Sequence, residues 1–237
     1  MRRLRFGLLQ AAHGNENTTR NFRRELDADL VEFDVNSGEL PPHTEFDGLV
    51  VTGSRASVYW DDEWIEPLVE YVAEAAADGV PVLGVCYGHQ VVAEALGGRV
   101  AGMDSFELGY NTVEQIDDDP LFVGLSEEFT VFTSHGDAVV ELPPGAKLIA
   151  RNEYGVHAFR REHCWGVQFH PEYDIKTARE IAESKRERLG DEQVDRVLAD
   201  ISPEQYAAAC EAKQLFDNFA AYAREQADQR EAQKLTA

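Results

Sequence analysis

Short apolar runs alternate with helically spaced apolar positions through the N-terminal part of the chain. The apolar runs predict strands at Leu4–Gln10, Leu30–Val35, Asp47–Thr52 and Pro81–Val85. The segments between them predict helices over Asn17–Asp29, over Asp62–Asp78 and from Gly88 onward. Nearly continuous apolar strands that alternate with helices are typical of a parallel sheet covered on both faces. We therefore expect an α/β fold with an open, mostly parallel sheet flanked by helices.

The pattern changes between Arg99 and Phe169, where strand-like runs are separated by Gly, Pro and Asp and not by helices. These runs read TVEQI, FTVFTS, AKLIAR, VHAFRR and CWGVQFH. Strands joined by short turns pair antiparallel. We expect this region to extend the sheet with antiparallel strands.

From Asp174 onward the chain carries little strand signal and much helical periodicity. Residues 204–224 place apolar side chains at roughly helical spacing, enough for one buried stripe: Tyr206, Cys210, Phe216, Phe219, Ala220 and Ala223. No internal repeat or low-complexity linker divides the chain. We expect a single domain over residues 1–237, with 174–237 as a helical C-terminal extension.

Acidic residues are twice as frequent as basic ones, since 44 Asp and Glu against 22 Lys and Arg give a net charge of −22. A field of that sign repels DNA, RNA and anionic membranes, so we expect neither nucleic acid nor a membrane as a partner. Few of the basic residues are lysines. An acidic, lysine-poor surface is typical of a halophilic protein, because molar salt screens the self-repulsion. An ordinary acidic bacterial protein is the alternative.

The three cysteines, Cys86, Cys164 and Cys210, are odd in number and widely spaced. They indicate neither a disulfide framework nor a zinc ribbon. The apolar run near the N-terminus is too short for a signal peptide, and no stretch approaches the roughly 20 apolar residues of a membrane span. These features predict a soluble protein of a reducing, cytoplasmic compartment.

The most informative segment is VLGVCYGHQ, which covers Val82–Gln90. An apolar strand leads into Gly84-x-Cys86-x-Gly88 and then into a helical stretch, which is the nucleophile-elbow pattern with cysteine in place of serine. The tight turn needs small residues two positions before and after the nucleophile. It places Cys86 at a helix N-terminus, which favours the thiolate, and aims the N–H of Tyr87 at a developing oxyanion. A buried small-residue turn is the structural alternative.

A cysteine nucleophile needs a base, and among the seven histidines His170 stands out. It ends the apolar run CWGVQFH and is followed by Pro171 and Glu172. A rigid proline between the two can hold the carboxylate where it orients the imidazole, which is the third role of a catalytic triad. Taken alone, His-Pro-Glu is also an ordinary strand-to-turn connection.

Together, GVCYGHQ and GVQFHPE resemble the class I, triad-type glutamine amidotransferases. The resemblance covers nearly all of residues 45–175 and includes VTGS, ALGG, ELG and SHGD. SHGD and the cysteine segment are most similar to the glutaminase part of GMP synthases. The resemblance implies a flavodoxin-like fold, in which an open, mostly parallel sheet is flanked by helices.

The matched motifs imply the catalytic groups. Cys86 is implied as the nucleophile, His170 as the base and later acid, and Glu172 as the orienting carboxylate. The backbone N–H groups of Gly53 and Tyr87 are implied to form the oxyanion hole. A simple turn glycine is the alternative for Gly53.

The α-amino acid end of the substrate is implied to bind Gln90 and the backbone of Ser134, His135 and Gly136. Gln90 as an ordinary residue of the helix N-terminus is the alternative. The implied thioester chemistry needs no cofactor. No group of His, Cys and Asp in the sequence has metal-ligand spacing, so we also expect no metal, and the phosphate-loop motif is missing.

Two features depart from the synthase-linked members of the family. The turn after the third strand reads Gly53-Ser54-Arg55 where those members have GGP or GPG, and Arg55, Tyr59 and Trp60 are placed to close over the substrate. Helical sequence, with no synthetase domain, follows the triad. Both features resemble the stand-alone branch of the superfamily, which includes γ-glutamyl peptidases.

Four hypotheses are open on this sequence. The preferred one is a glutaminase that hydrolyses glutamine and passes ammonia to a separate, GMP synthase-like synthetase chain. The runner-up is a self-sufficient hydrolase of γ-glutamyl amides or peptides. A non-catalytic binding or regulatory relative is disfavoured by the intact Cys86, His170 and Glu172. A cysteine hydrolase of the PfpI type would share the elbow but not the FHPE motif.

Overall fold

The computed structural model of the chain describes residues 2–14 and 16–236. Met1, Asn15 and Ala237, which the single-domain prediction includes, lie outside the described residues. The described residues form nine strands: β1 (Arg5–Gln10), β2 (Asp29–Asp34), β3 (Gly48–Val51), β4 (Val82–Val85), β5 (Arg99–Gln115), β6 (Glu128–Glu141), β7 (Lys147–Asn152), β8 (Gly155–Arg161) and β9 (Cys164–Val167).

All nine strands belong to one sheet, in the order β2-β1-β3-β4-β9-β8-β7-β5-β6. The pairings from β2 to β9 are parallel, and those from β9 to β6 are antiparallel. The predicted α/β fold, with its parallel sheet and antiparallel extension, is confirmed. The four N-terminal strands begin or end within a residue or two of the predicted positions.

The prediction for CWGVQFH needs a correction. Its strand β9 lies inside the sheet, parallel to β4 on one side and antiparallel to β8 on the other. All four of its residues are buried, which requires cover on both faces and neighbours on both edges. The strand ends at Val167, so His170 does not end a strand but lies three residues beyond it.

Helices cover the sheet and form the C-terminal part of the chain: α1 (Glu16–Glu25), α2 (Ile65–Ala77), α3 (Tyr87–Ala95), α4 (Ile175–Glu183), α5 (Arg186–Leu189), α6 (Asp191–Asp200), α7 (Pro203–Ala209) and α8 (Gln214–Thr236). Side chains cap two of them, since Asp174 accepts from the N–H of Thr177 and Ser202 from that of Gln205. None of these helices, within the described residues, is long and apolar enough to cross a membrane.

The core lies on both faces of the sheet because successive strand residues point to opposite sides. In β3, Val50 joins a buried cluster with Phe22, while Leu49 and Val51 join a second cluster with Val72. The first cluster packs under α1 and α8, and the second under α2 and α3. The carboxyl ends of β3 and β4 therefore emerge between covered faces, where open parallel sheets bind ligands.

The stripe predicted over residues 204–224 is distributed over two helices and a short 3-10 segment, Cys210–Lys213. Phe216, Phe219 and Ala223 are buried against the sheet. Tyr206, Cys210 and Ala220 are only half-buried; Tyr206 and Cys210 precede α8, whereas Ala220 is on α8 and packs at the margin of the cluster.

Candidate active site

Cys86 lies at the junction of β4 and α3 in strained backbone, with φ 55° and ψ −103°. Its N–H donates to the carbonyl of Val167 at 2.8 Å, which ties the elbow to the neighbouring strand. A non-glycine residue in such a conformation costs of order 1–3 kcal/mol and persists only where the surroundings enforce it. The elbow predicted from the sequence is therefore present as a strained strand-to-helix turn.

Gly84 and Gly88, on either side of Cys86, have no room for a side chain. A Cβ on Gly84 would lie 2.1 Å from the carbonyl oxygen of Gly88. A Cβ on Gly88 would lie 2.2 Å from the carbonyl oxygen of Val51. Both distances are far below van der Waals contact, so the turn closes only with glycine at these two positions.

His170 and Glu172 form a buried pair beside the elbow. Nδ1 of His170 lies 2.8 Å from Oε1 of Glu172. The N–H of His170 donates to the carbonyl of Phe132 in β6 at 2.8 Å, which fixes the backbone of the base. The ring of Tyr173 stacks on the His170 imidazole, with centroids 4.0 Å apart and planes 12° apart.

The charge on His170 is set by its neighbours. Burial disfavours the imidazolium, but the attraction of Cys86 and of Glu172 outweighs it and raises the pKa of His170 to about 10. A protonated base at neutral pH suits a thiolate–imidazolium pair, in which the proton is already in place for a leaving group.

Gly53 lies next to both Cys86 and His170. A Cβ on Gly53 would stand 2.9 Å from Cε1 of His170 and 3.7 Å from Cβ of Cys86. Tyr87 is the first residue of α3, so its backbone N–H belongs to the first turn, where helical N–H groups have no intrahelical acceptor. Both predicted oxyanion residues thus border Cys86.

Two cavities lie beside the elbow and share four lining residues, Ser54, Arg55, Ser134 and Lys185. A cavity of about 260 Å³ is lined by Cys86, Tyr87, Gln90 and the segment Ser134–Asp137. A recess of about 40 Å³ is lined by Gly53, Ser134, His170 and Glu172. Cys86 lines the larger cavity and His170 lines the recess, and Ser134 borders both. Arg55, Tyr59 and Trp60 line the larger cavity, as the sequence predicted.

Gln90 reaches the floor of the larger cavity. Its amide nitrogen donates to the carbonyl of Asp137 at 3.4 Å and to the side chain of Gln168 at 3.3 Å. Both bonds are long, so they yield easily to a better acceptor. Ser134, His135 and Gly136 belong to strand β6 and lie beside an irregularity in its pairing with β5. All three residues line the larger cavity.

The ring of His135 does not point into the cavity. Nδ1 faces the carbonyl of Asp137 at 2.9 Å, and Nε2 lies 2.5 Å from Oε2 of the buried Glu107. His157 approaches the same oxygen at 3.1 Å. Asn152 donates to the other carboxylate oxygen at 2.7 Å. The ring of His135 thus anchors this segment of β6 to Glu107.

The same cluster could by its geometry hold a metal ion. Within the described residues, the ligand atoms of Glu107, His135 and His157 all lie within 4.8 Å of one another. The separations of 2.5 and 3.1 Å are those of direct hydrogen bonds and ion pairs. Burial opposes ionisation, but the two histidines lower the pKa of Glu107 to about 2. The carboxylate is satisfied by side chains alone.

Several residues of the site were not predicted from the sequence. Lys185 and Arg188, from the segment described only as a helical extension, line the larger cavity. Tyr173 stacks on the base, and Arg24 donates to the carbonyl of Glu172 at 2.6 Å. Of these residues, Tyr173 could have been suspected from the sequence, because it directly follows the His-Pro-Glu motif. Arg24 and Arg188 carry no local pattern that distinguishes them from surface residues.

Comparisons with known proteins agree with this geometry. The family model "Glutamine amidotransferase class-I" matches residues 13–185. A GMP synthase [glutamine-hydrolyzing] of Thermomicrobium roseum is 42% identical over 155 residues, which are 63% of this chain and 28% of that protein. The corresponding protein of Aquifex aeolicus is 36% identical over 148 residues, 61% of this chain and 28% of its own length. The chain thus spans little more than a quarter of these relatives.

Solved structures show the same fold. A glutamine amidotransferase of Thermotoga maritima superposes with a TM-score of 0.78 at 22% identity, covering 93% of this chain and 99% of that one. A candidate GMP synthase subunit of Thermoplasma acidophilum superposes with a TM-score of 0.68 at 24% identity, covering 99% of both. At these identities the likeness concerns the fold alone, which is flavodoxin-like. With its family model matched from His13 to Lys185, the chain belongs to the class-I glutamine amidotransferases.

Proposed function

We propose that this chain is a cysteine-dependent glutaminase that releases ammonia from the side-chain amide of glutamine. The observation that carries the proposal is the position of the strained Cys86 beside the buried His170–Glu172 pair, with Gly53 next to both Cys86 and His170. The relatives' names support the substrate, because both GMP synthases are described as glutamine-hydrolysing.

The proposed reaction begins with attack of the Cys86 sulfur on the δ-carbonyl of glutamine. A carbon–sulfur bond forms, and the carbonyl electrons move onto oxygen, where the N–H groups of Gly53 and Tyr87 stabilise them. Each such donor typically contributes about 3 kcal/mol to lowering the barrier. His170 gives its proton to the departing nitrogen, the carbon–nitrogen bond breaks, and ammonia leaves a γ-glutamyl thioester.

Water completes the cycle. His170, now neutral, takes a proton from water, whose oxygen adds to the thioester carbonyl, and the carbon–sulfur bond breaks to give glutamate and the thiolate. Glu172 stays ionised and holds the imidazole through Nδ1. Gln90 and the Ser134–Gly136 backbone bind the α-amino acid end, while the side chain of His135 positions that backbone from the Glu107 side.

We further propose that the ammonia passes to a separate synthetase chain of the GMP synthase type. The support is the 42% identity with a GMP synthase over 28% of that protein's length and the match over nearly the whole length of the Thermoplasma protein. The partner itself is a matter for experiment.

The test is ammonia release by the purified chain, in buffer containing molar KCl, with and without a GMP synthase-type synthetase, ATP and its acceptor. We expect slow release from glutamine alone and strong stimulation by the complete synthetase. Cys86→Ala is expected to abolish both rates. Equal rates in wild type and Cys86→Ala would refute the cysteine mechanism, and unchanged rates with every synthetase tried would refute the partnership.

A further inference from the structure

Helix α1 contacts the segment that follows His170 through the side chain of Arg24. One terminal nitrogen of Arg24 donates to the backbone carbonyl of Glu172 at 2.6 Å, and the other donates to the carboxylate of Asp174 at 3.1 Å. Its Nε donates to Glu25 at 2.6 Å. Because a guanidinium is a planar fork of donors, three acceptors around one fork fix its orientation closely.

The carboxylate of Glu172 has little to hold it apart from His170. It is fully buried, and Oε1 faces Nδ1 of His170 at 2.8 Å. No group within residues 2–14 and 16–236 hydrogen-bonds to Oε2. Buried polar atoms are normally paired, so this carboxylate lacks the second set of contacts that would fix it from its own end. Its position therefore depends on the backbone that carries it.

That backbone is anchored on both sides of Glu172. Before it, the N–H of His170 is bonded to strand β6, and after it, Asp174 caps helix α4. Arg24 binds between these two anchors, at the carbonyl of Glu172 itself. A peptide group is planar, so holding this carbonyl oxygen orients the whole peptide that joins Glu172 to Tyr173.

We propose that Arg24 is a positioning residue for the hydrolysis at Cys86, because its guanidinium holds the peptide of Glu172 and so keeps Oε1 within hydrogen-bond distance of His170. This role rests on the cysteine chemistry proposed above, but not on any synthetase partner. In the described part of the chain, Arg24 is not among the residues that line either cavity beside the elbow. It acts through Glu172 and not on the substrate, so its loss should change kcat and leave KM alone.

Arg20 provides a matched control on the same face of α1, four residues before Arg24. It also binds Asp174, at 2.9 Å, and its guanidinium lies 3.3 Å from the hydroxyl of Thr177. The side chains of Arg20 and Arg24 are 43% and 38% exposed. Among the residues that the structure describes, Arg20 makes no hydrogen bond to Glu172. Its loss therefore removes contacts between α1 and α4 without releasing the carboxylate.

The first experiment compares the steady-state kinetics of Arg24→Gln and Arg20→Gln, with urea unfolding of both to match their stability. We expect Arg24→Gln to lower kcat about tenfold or more at an unchanged KM, as displacement of a catalytic group does. Arg20→Gln should keep the wild-type kcat. Arg24→Gln added to Glu172→Gln should lower kcat no further, because both changes disable the same group. Additive losses in the double variant would overturn the proposal.

Arg24→Lys separates geometry from charge. Lysine keeps the positive charge, but its ammonium is a point donor that cannot serve the carbonyl of Glu172, Asp174 and Glu25 in the geometry of the fork. We therefore expect kcat to fall in this variant as well. A wild-type kcat in Arg24→Lys would show that charge alone is sufficient, which contradicts positioning.

A second measurement, the pH dependence of Cys86 alkylation by iodoacetamide, does not depend on turnover. Attraction to Glu172 stabilises the His170 imidazolium that pairs with the thiolate. If Glu172 moves away, the midpoint of the alkylation rate should shift to higher pH. The titratable and charged groups around the imidazole are the same in each of the three single Arg variants: Cys86, Glu172, Tyr173, Arg55 and Lys185.

The upward shift of the alkylation midpoint should appear in Arg24→Gln and Arg24→Lys and not in Arg20→Gln. Peptide mapping confirms that the label is on Cys86. An unmoved midpoint in Arg24→Gln, or an equal shift in Arg20→Gln, overturns the role of Arg24. The expected shifts in a chain that releases no ammonia from glutamine would refute the glutaminase proposal and leave this positioning role standing.

Discussion

Nδ1 of His170 lies 2.8 Å from Oε1 of Glu172, and both side chains are almost wholly buried. The intervening Pro171 restricts the backbone between them. Burial alone would keep this imidazole neutral, yet Cys86 and Glu172 raise its pKa to about 10. The orientation and the charge of the base thus depend on a carboxylate two residues away.

Glu172→Gln should lower kcat by about four orders of magnitude, as loss of the orienting carboxylate does in a triad. Removing this negative charge also lowers the pKa of His170, so the limb of the pH–rate profile that reports His170 should move to lower pH. Steady-state kinetics between pH 5 and pH 10 measure both effects. Glu225→Gln, an exposed change on α8, is the control. An unmoved limb would contradict the role given to Glu172.

Only Cys86 should react with a glutamine-mimicking electrophile. Cys164 is buried in β9, where burial raises the pKa of its thiol to about 12, and Cys210 lies far along the chain on the 3-10 segment before α8. Peptide mapping after labelling identifies the modified residue. Cys164→Ala and Cys210→Ala should retain labelling and hydrolysis, whereas Cys86→Ala and Cys86→Ser should lose both. Label on Cys164 would refute the assignment.

Gly53→Ala should reduce activity at least tenfold while the chain stays folded. The added Cβ would stand 2.9 Å from Cε1 of His170, so the imidazole has to move away from Cys86. Displacement of a catalytic group by a fraction of an ångström carries a penalty of this size. Gly102→Ala, whose Cβ meets Tyr59 at 3.4 Å, is the matched control. Hydrolysis kinetics and circular dichroism together decide the outcome.

Glu107→Gln should weaken the fold and raise KM more than it lowers kcat. The pKa of Glu107 is about 2 in the folded state, below its unfolded value, so its stabilisation is present above pH ~4.5 and is lost as pH falls toward 2. The shift corresponds to about 3 kcal/mol near neutral pH. Urea unfolding at pH 7 and pH 3 measures this term, and the difference between wild type and variant should shrink at the lower pH.

The KM effect follows from the contact between Glu107 and His135, which holds the Ser134–Gly136 backbone at the cavity. Glu128→Gln, an exposed change on β6, should alter neither KM nor stability beyond about 0.5 kcal/mol. If KM in Glu107→Gln stays at the wild-type value, the cluster has only a structural role.

Molar KCl should raise the melting temperature markedly if the net charge of −22 reflects halophilic adaptation. At 1 M salt the Debye length is about 3 Å, so repulsion between exposed carboxylates farther apart than this is largely screened and the compact folded state is stabilised. Scanning calorimetry from dilute buffer to 3 M KCl tests this, with a matched series in choline chloride to separate screening from ion-specific effects. A flat or falling melting temperature would count against the halophilic hypothesis.

Local patterns accounted for much of the fold. The strands β1 to β4 and the elbow at Cys86 could be predicted because each depends on a pattern within a few residues: an apolar run, the glycine spacing, or the change from strand to helix periodicity. The position of β9 was not visible. A run of four apolar residues is compatible with an edge or a centre, and only its two neighbours in the sheet decide which.

The sequence by itself determined which residues we propose as nucleophile, base and orienting carboxylate, because a strained turn and a His-Pro-Glu segment each restrict which residues fit. Only the tertiary structure decided that His135 points at Glu107 and that Lys185 and Arg188 reach the cavity. Those placements depend on how helices pack across the edge of the sheet. The direction in which a side chain then points is set by contacts with residues that are distant in the sequence. No periodicity in residues 174–190 separates a cation that faces solvent from one that faces Cys86.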